Sequence, residues 1–517
     1  MNSHKSKLIT IVSDLHLGSG ADPETSEYSR KEEFFYDVEF ETFMDYLIRY
    51  GEKKKTDHTL ILNGDIFDFL AVSELPTPEE VEKFGLEYNS SEKKYGLGSS
   101  QSKAAWKIRR IIAGHKVFFR ALAKFLSAGN QIVYLRGNHD LEVYWPAVKK
   151  EIYKALVVEL KKLGSPAEFA NDNFIFKPWF HLEKDGELYV EHGNQYDKTN
   201  AITANLTPLL PEGAYESKER LLDYPIGSFF ARYVYSPIRT LDPYRTHVIS
   251  FLQYIGVVSK ASIWNFINVA RLNFPFFVRA VRNSVTFYGD RYEKVFESHV
   301  KKRNQYALDH NFSTKKLEEL DQLRAIPLGH SMYQIFKEIF RPVFKRVVWT
   351  VALSLLAMFS WILIFTSLSS FLAGSIFGKA SLISVLAVVT VVGLFYLFLK
   401  IGKAIENYRD PLIDIARGKA SRISALLKVK KVVMGHTHIA EKKILPNGVE
   451  YLNTGTWIPF PGPWDKLQEQ ARQFTFAIYE DGELKLLRWN PKLKKFQYPL
   501  LFKELKGDEM IFFKDDD

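Results

Sequence analysis

The sequence predicts an α/β domain interrupted by a long helical insertion, and the insertion is predicted to cross a membrane twice. Three observations carry this expectation. Short β-type runs each end in a small polar motif, as strand ends do when they build a site. Two long stretches carry no charge. A run of basic and aromatic residues lies just before those stretches.

Composition narrows the chemistry. At 517 residues the chain is too long for one typical domain, and 46% hydrophobic with 25% charged residues excludes a disordered polymer. Cysteine is absent, so disulfides, thiolate metal sites and cysteine nucleophiles are excluded, and any metal must be held by His, Asp, Glu or Asn. Lys and Arg number 70 against 60 Asp and Glu, a net +10 that suggests an anionic partner. Met1 to Lys7 is polar and the apolar run Leu8 to Val12 is short, so no export signal is read and the first domain is expected to stay in the cytoplasm.

The β-type runs come in order. Leu8 to Ser13 leads into Asp14-Leu15-His16, and Thr59 to Asn63 into Gly64-Asp65. Gln131 to Leu135 leads into Gly137-Asn138-His139-Asp140, Leu188 to Glu191 into His192-Gly193, and Lys431 to Met434 into Gly435-His436-Thr437-His438. Asp14 and His16 are two apart, so an extended segment would point both the same way, and His436 and His438 repeat the spacing. Asp65 is a carboxylate able to bridge two cations, Asn138 offers a neutral oxygen and His192 a nitrogen. Seven oxygen and nitrogen donors around two divalent ions suit manganese, with iron or zinc as alternatives. His139 is the spare group beside Asn138, and Asp140 is read as the residue that orients its ring. Glu74 to Ser102, rich in Glu, Ser, Gly and Pro, reads as a loop or lid. No substrate-binding residue is singled out.

The insertion has its own logic. Residues 347–378 and 380–399 are uncharged, and each is long enough for a spanning helix of roughly 20 apolar residues. Arg341, Lys345 and Arg346 precede the first stretch and Lys400, Lys403 and Arg409 follow the second, whereas the connection holds Lys379 alone. Both outer ends are therefore expected on the cytoplasmic side. Residues 226–305 hold twelve Lys and Arg against four Asp and Glu, with sixteen aromatic residues, which suits an anionic lipid surface better than a nucleic acid strand. Arg232, Arg239, Arg245, Arg271, Arg279 and Arg282 are candidates for phosphate contact.

Taken in order, the five motifs resemble those of the calcineurin-like metallophosphoesterases. The wording of Ser13 to Gly18, Gly64 to Asp68 and His192-Gly193-Asn194 resembles the branch that holds UDP-2,3-diacylglucosamine pyrophosphatase, although that branch usually has Arg where this chain has His139. The resemblance covers 1–199 and 405–517. It implies a four-layer αββα sandwich of two mixed sheets, with the first metal held by Asp14, His16, Asp65 and His438 and the second by Asp65, Asn138, His192 and His436. His139 would be the general acid. The expected organisation is a phosphoesterase domain in two parts, 1–199 and 405–517, a basic aromatic interfacial region 200–345, and a transmembrane hairpin 346–404. His192 and His436 flank the hairpin yet must share a metal, so an even number of spans is required. The expectation is a metal-dependent phosphoesterase of the inner (cytoplasmic) membrane. Its expected partners are the bilayer and a lipid-linked phosphate substrate. A nuclease or cyclic-nucleotide phosphodiesterase, and a non-catalytic membrane scaffold, are the alternatives.

Overall fold

The computed structural model describes residues 7–183, 186–214, 217–235, 290–309, 312–328, 412–459 and 473–499, with scattered positions within 271–282 and 333–393. The first half runs β1 (Lys7–Val12), α1 (Asp37–Lys54), β2 (Asp57–Asn63), α2 (Pro78–Phe84), α3 (Ser90–Tyr95), α4 (Gln101–Gly114), α5 (Lys116–Ser127), β3 (Gln131–Leu135), α6 (Pro146–Lys162), α7 (Phe169–Asn173), β4 (Phe174–Lys177), β5 (Phe180–Leu182) and β6 (Leu188–Glu191). The rest comprises α8 (Ile226–Phe230), α9 (Asp290–Asp309), α10 (Thr314–Gln322), α11 (Leu412–Leu427), β7 (Lys431–Met434), β8 (Glu441–Ile444), β9 (Glu450–Asn453), β10 (Thr475–Glu480), β11 (Glu483–Asn490) and β12 (Lys495–Gln497).

The strands form two mixed sheets. One has the order β12-β11-β10-β1-β2-β3-β4, the other β5-β6-β7-β9-β8. In the first, β1 to β4 are parallel and β10 enters antiparallel beside β1, with Ile9 opposite Tyr479. In the second, β6, β7 and β9 are parallel, and Val190 pairs with Val433.

Period-two alternation sorts the side chains into layers. Ile9, Ile11, Ile61 and Val133 of the first sheet share one buried cluster with Val190, Val433 and Leu452 of the second, so the sheets pack face to face. The alternate residues Leu8, Val12, Leu60, Leu62 and Ile132 turn to the opposite face, against Phe40, Phe43 and Leu47 of α1, Phe118 and Leu122 of α5, and Ile152 and Leu156 of α6. On the outer face of the second sheet, Tyr189, Val432 and Tyr451 pack with Tyr306 of α9, Leu317 and Leu320 of α10, and Ala416 and Ala420 of α11. The spacing of four on α1, α5, α6 and α11 is the stripe a sheet-packed helix needs. The order of layers is helix, sheet, sheet, helix.

The chain divides into two compact units, one of residues 1–248, 269–330 and 411–517, the other of 249–268 and 331–410. The first takes in more of the insertion than a boundary at residue 200 implies. Ile202, Leu209, Leu222 and Tyr224 enter its core, and Arg232 is buried and donates to the Gly96 carbonyl rather than facing lipid. Asp321 of α10 gathers His299, Arg303 and Arg324 at 3.0, 3.3 and 2.7 Å, so part of the basic charge of this region is neutralised internally. Of the other arginines proposed for phosphate contact, Arg239 and Arg245 lie outside the described residues.

The predicted lid is a correction. Residues 74–102 hold α2 and α3, each started by a reciprocal capping box, Thr77 with Glu80 and Asn89 with Glu92. Some of the glutamates that read as loop, Glu80 and Glu92, serve here with Thr77 and Asn89 to satisfy helix N-termini. The hairpin expected over 346–404 lies outside the described residues, apart from scattered positions. Among the described residues no helix is long and apolar enough to cross a membrane.

Candidate metal centre

Each motif leaves the carboxyl end of a parallel strand, where loops converge on one edge of the sandwich. Asp14 follows β1, Asp65 follows β2, Asn138 and His139 follow β3, His192 follows β6 and His436 follows β7. The backbone there is not extended. Asp14, His16, Asp65, His436 and His438 have φ of 55°, 55°, 51°, 68° and 58°. Non-glycine residues seldom adopt this left-handed region, and clusters of them mark functional sites. The expectation that a two-residue spacing acts through an extended segment is thus corrected: alternate left-handed residues turn the side chains inward. The backbone is pinned by Asp14 N–H to the Gly64 carbonyl at 3.1 Å and His16 N–H to the Asp65 carbonyl at 3.0 Å. At Gly435 a Cβ would lie 2.6 Å from Asp14 Oδ2, so only glycine admits the close approach of these two loops.

Among the described residues three groups of donors converge, one of them, His16, Asp68 and His139, sharing His16 with the first of the two that the motifs predict. Asp14, His16 and His438 form that first group, and Asp65, His192 and His436 the second. In the first, His16 Nε2 and His438 Nε2 are 3.2 Å apart and His438 Nε2 is 3.2 Å from Asp14 Oδ1. In the second, His192 Nε2 is 3.1 Å from Asp65 Oδ2. Atoms bound roughly 2.0–2.2 Å from one ion stand about 3–3.5 Å apart, so these spacings fit donors sharing a cation. Buried polar atoms without hydrogen-bond partners agree. Asp14 Oδ1, Asn138 Oδ1 and His192 Nε2 accept or donate none, although Asp14, Asn138 and His192 are 0–2% exposed. The His192 ring is oriented by Nδ1 donating to the Asn63 carbonyl at 2.8 Å, which leaves Nε2 as the lone-pair nitrogen.

The electrostatics ask for positive charge. Burial opposes ionisation of Asp65, but His192 and His139 outweigh it and hold the carboxyl well below its usual range. Asp68 is likewise held well below, against its burial, by His139 and His16. The same interactions, acting against burial, push His139 up to about 10 and His192 up to about 9. Buried carboxylates and imidazoles of this density suit divalent ions, whose charge replaces those protons.

Three supporting residues stand behind the donors. Asp197 Oδ2 lies 3.1 Å from His436 Nε2, while its Oδ1 accepts from the Thr199 N–H at 2.8 Å, so it both orients a histidine and fixes a turn. Asn453 donates to the Gly435 carbonyl at 2.7 Å and holds the turn before His436. Asp68 Oδ2 lies 3.0 Å from His139 Nδ1 and 3.7 Å from His16 Nδ1. Asp68 carries no role in the sequence reading; the one available signal is its place in Gly64-Asp65-Ile66-Phe67-Asp68. It occupies the position expected for Asp140. Asp140 instead turns away from the His139 ring and accepts from Gly137 N–H at 2.6 Å, Ile66 N–H at 3.0 Å and Tyr134 O–H at 2.5 Å, locking the third-motif loop.

The family model described as calcineurin-like phosphoesterase matches residues 7–226. This segment is similar to calcineurin-like phosphoesterase domains. Neither the search of curated proteins nor that of solved structures returned a match. The matched segment contains Asp14, His16, Asp65, Asn138, His139, Asp140 and His192 but ends well before His436 and His438. The parallel pairing of β7 with β6 brings those last two histidines to the donors of the matched segment. Metallophosphoesterase domains bind divalent metals, and the Asp and His groups described here could hold such ions.

Proposed function

We propose that the chain is a membrane-anchored, two-metal phosphoesterase that hydrolyses a phosphate ester or pyrophosphate bond of a phospholipid or nucleotide-linked lipid. The observation that carries the catalytic half is the convergence of Asp14, His16 and His438 beside Asp65, His192 and His436. In this reading Asp14, His16, Asp65 and His438 hold one ion and Asp65, Asn138, His192 and His436 the other, with Asp65 shared. Manganese suits this nitrogen and oxygen set, with iron and zinc as competitors. Two bound ions would supply Lewis-acid charge for the phosphoryl oxygens and lower the pKa of a bound water.

The chain's own residues do the rest. His139 carries the proton for the leaving oxygen. With Nδ1 engaged by Asp68, the proton it hands on is at Nε2. Asp140 keeps the Asn138-His139 loop in register, and Asp197 and Asn453 hold His436 in place. The lipid half rests on the uncharged stretches 347–378 and 380–399 and on the basic, aromatic segment before them. Two crossings keep His192 and His436 on one side, which the shared centre demands, and put the catalytic domain at the cytoplasmic face of the inner membrane.

The test is hydrolysis by full-length, detergent-purified protein with added Mn²⁺. UDP-2,3-diacylglucosamine and a membrane lipid extract are offered in parallel, products are followed by mass, and Asp65→Ala serves as blank. Metal-dependent release of UMP, or of phosphate or headgroup from another lipid, supports the reading. Turnover of nucleic acid or cyclic nucleotides with no lipid cleaved rejects it, as does full turnover by Asp65→Ala.

A further inference from the structure

A cavity of about 490 Å³ opens between β3, β4, α6 and α9. Its volume falls in the range of small-molecule sites, about 300–1,000 Å³. No residue of the metal centre lines it. We propose that this cavity binds a ligand carrying one or two phosphate groups on a flat aromatic or apolar body. The inference stands on the cavity alone and does not rest on the phosphoesterase reading.

The wall holds four cations, Arg136, Lys149, Lys177 and Lys302, and among the described residues no carboxylate. Arg136 and Lys302 donate to neutral groups. Arg136 Nη2 donates to Asn205, to its carbonyl at 2.5 Å and its Oδ1 at 3.1 Å. Lys302 Nζ donates to the Tyr144 hydroxyl at 3.1 Å, and Lys177 Nζ is 3.0 Å from His181 Nδ1. Lys149 lies 5.3 Å from the Phe176 ring centroid, and among the described residues no carboxylate pairs with it. Burial, with Arg136 and Lys302 close by, pushes Lys149 down to about 8. Four cations on a wall lined by no carboxylate repel one another, and a bound dianion offsets that repulsion. Arg136 is already fixed by Asn205, so its remaining donors meet a phosphate with little ordering cost.

The rest of the wall is aromatic. Tyr134, Tyr144, Phe176 and Tyr306 line it, and the Arg136 and Lys302 cations lie 5.9 and 4.9 Å from the Tyr144 ring centroid. Rings flanked by cations offer a stacking surface for a planar body beside a phosphate pocket. The volume holds one such molecule and not a polymer strand.

Inorganic pyrophosphate and adenosine 5′-diphosphate serve as probes, titrated calorimetrically into full-length protein after chelator treatment, so that no bound metal contributes, and the cavity variants below separate this site from the metal centre. Both are expected to bind, the diphosphate with the base more tightly. Lys149→Gln with Lys302→Gln is expected to weaken binding roughly tenfold for each charge removed. Lys149→Arg should bind within a few-fold of the original protein, and melting temperatures check that each variant folds. The proposal fails if neither probe binds the chelator-treated protein at millimolar concentration. It also fails if the double variant, folded, binds as the original does.

Discussion

Asp68 Oδ2 stands between two imidazoles, Nδ1 of His139 at 3.0 Å and Nδ1 of His16 at 3.7 Å, and so couples the proposed proton donor to a proposed metal ligand. Its loss should act through the rings. His139→Ala is expected to retain bound metal but to slow hydrolysis by roughly 10²–10⁴. Asp68→Asn should lower kcat less, and should also weaken metal retention, because His16 loses its orienting carboxylate. Metal content by mass spectrometry beside steady-state kinetics separates the two. Asp140→Asn, by contrast, is expected to show itself first as a lower melting temperature, since its carboxylate accepts two backbone N–H groups and a buried tyrosine hydroxyl. The donors themselves were legible in the sequence because each stands in a short motif after a β-type run. Asp68 was not, because a carboxylate three residues beyond Asp65 looks like any loop aspartate until the β2 loop is folded. Asp140 misleads for the opposite reason: adjacency along the chain to His139 is not adjacency in space.

Among the elements, the loop leaving His16 depends on a buried carboxylate. Glu32 accepts from the N–H groups of Gly18 at 3.1 Å, Gly20 at 2.5 Å and Phe34 at 3.0 Å, and it lies 3.6 Å from His115 at the start of α5. Burial disfavours charge on His115, but Asp37, 2.9 Å away, and Glu32 outweigh it and push the ring up to about 9. A base whose pKa rises on folding stabilises the folded state fully below its unfolded value, near 6.5, and loses that contribution as pH rises through the folded value. The melting temperature should therefore decline from pH 6.5 to about 9, and His115→Gln should flatten that limb while lowering stability at pH 6. An unchanged slope in the variant would remove His115 from this role. The sequence signalled five of the strands through their motifs. β10 and β11 carry no motif, and nothing in their composition announces that β10 slots in antiparallel beside β1.

For the molecule as a whole, the second sheet is the element that unites distant chain. β6 and β7 are neighbours in that sheet, though more than two hundred residues separate them in sequence. A chain ending at residue 248 keeps the whole matched segment 7–226 yet lacks β7 to β12, which include the strands on one side of β1 and the core of the second sheet. It is expected to give no cooperative thermal transition and to retain no metal on desalting. A stable, metal-loaded fragment would show that the later histidines are dispensable. The pairing of β7 with β6 agrees with the motif order, which asks distant stretches of chain to meet, whereas the packing of 290–328 onto the second sheet was not legible: α9 and α10 bury Tyr306, Ala307, Leu317 and Leu320 there, too sparse a pattern to name their partner.

The separation of β6 from β7 also sets a clock. A ribosome adding roughly 5–20 residues per second needs some tens of seconds to pass from His192 to His436. Throughout that interval the nascent chain carries Asp14, His16, Asp65, Asn138 and His192 without the last two histidines, and the second sheet still lacks its central strand. If these groups hold ions as proposed, metal acquisition is therefore expected late in biogenesis. On the proposed function, a newly made molecule is expected to become competent only after everything encoded between those two histidines has been synthesised and has returned its end to the waiting edge of β6.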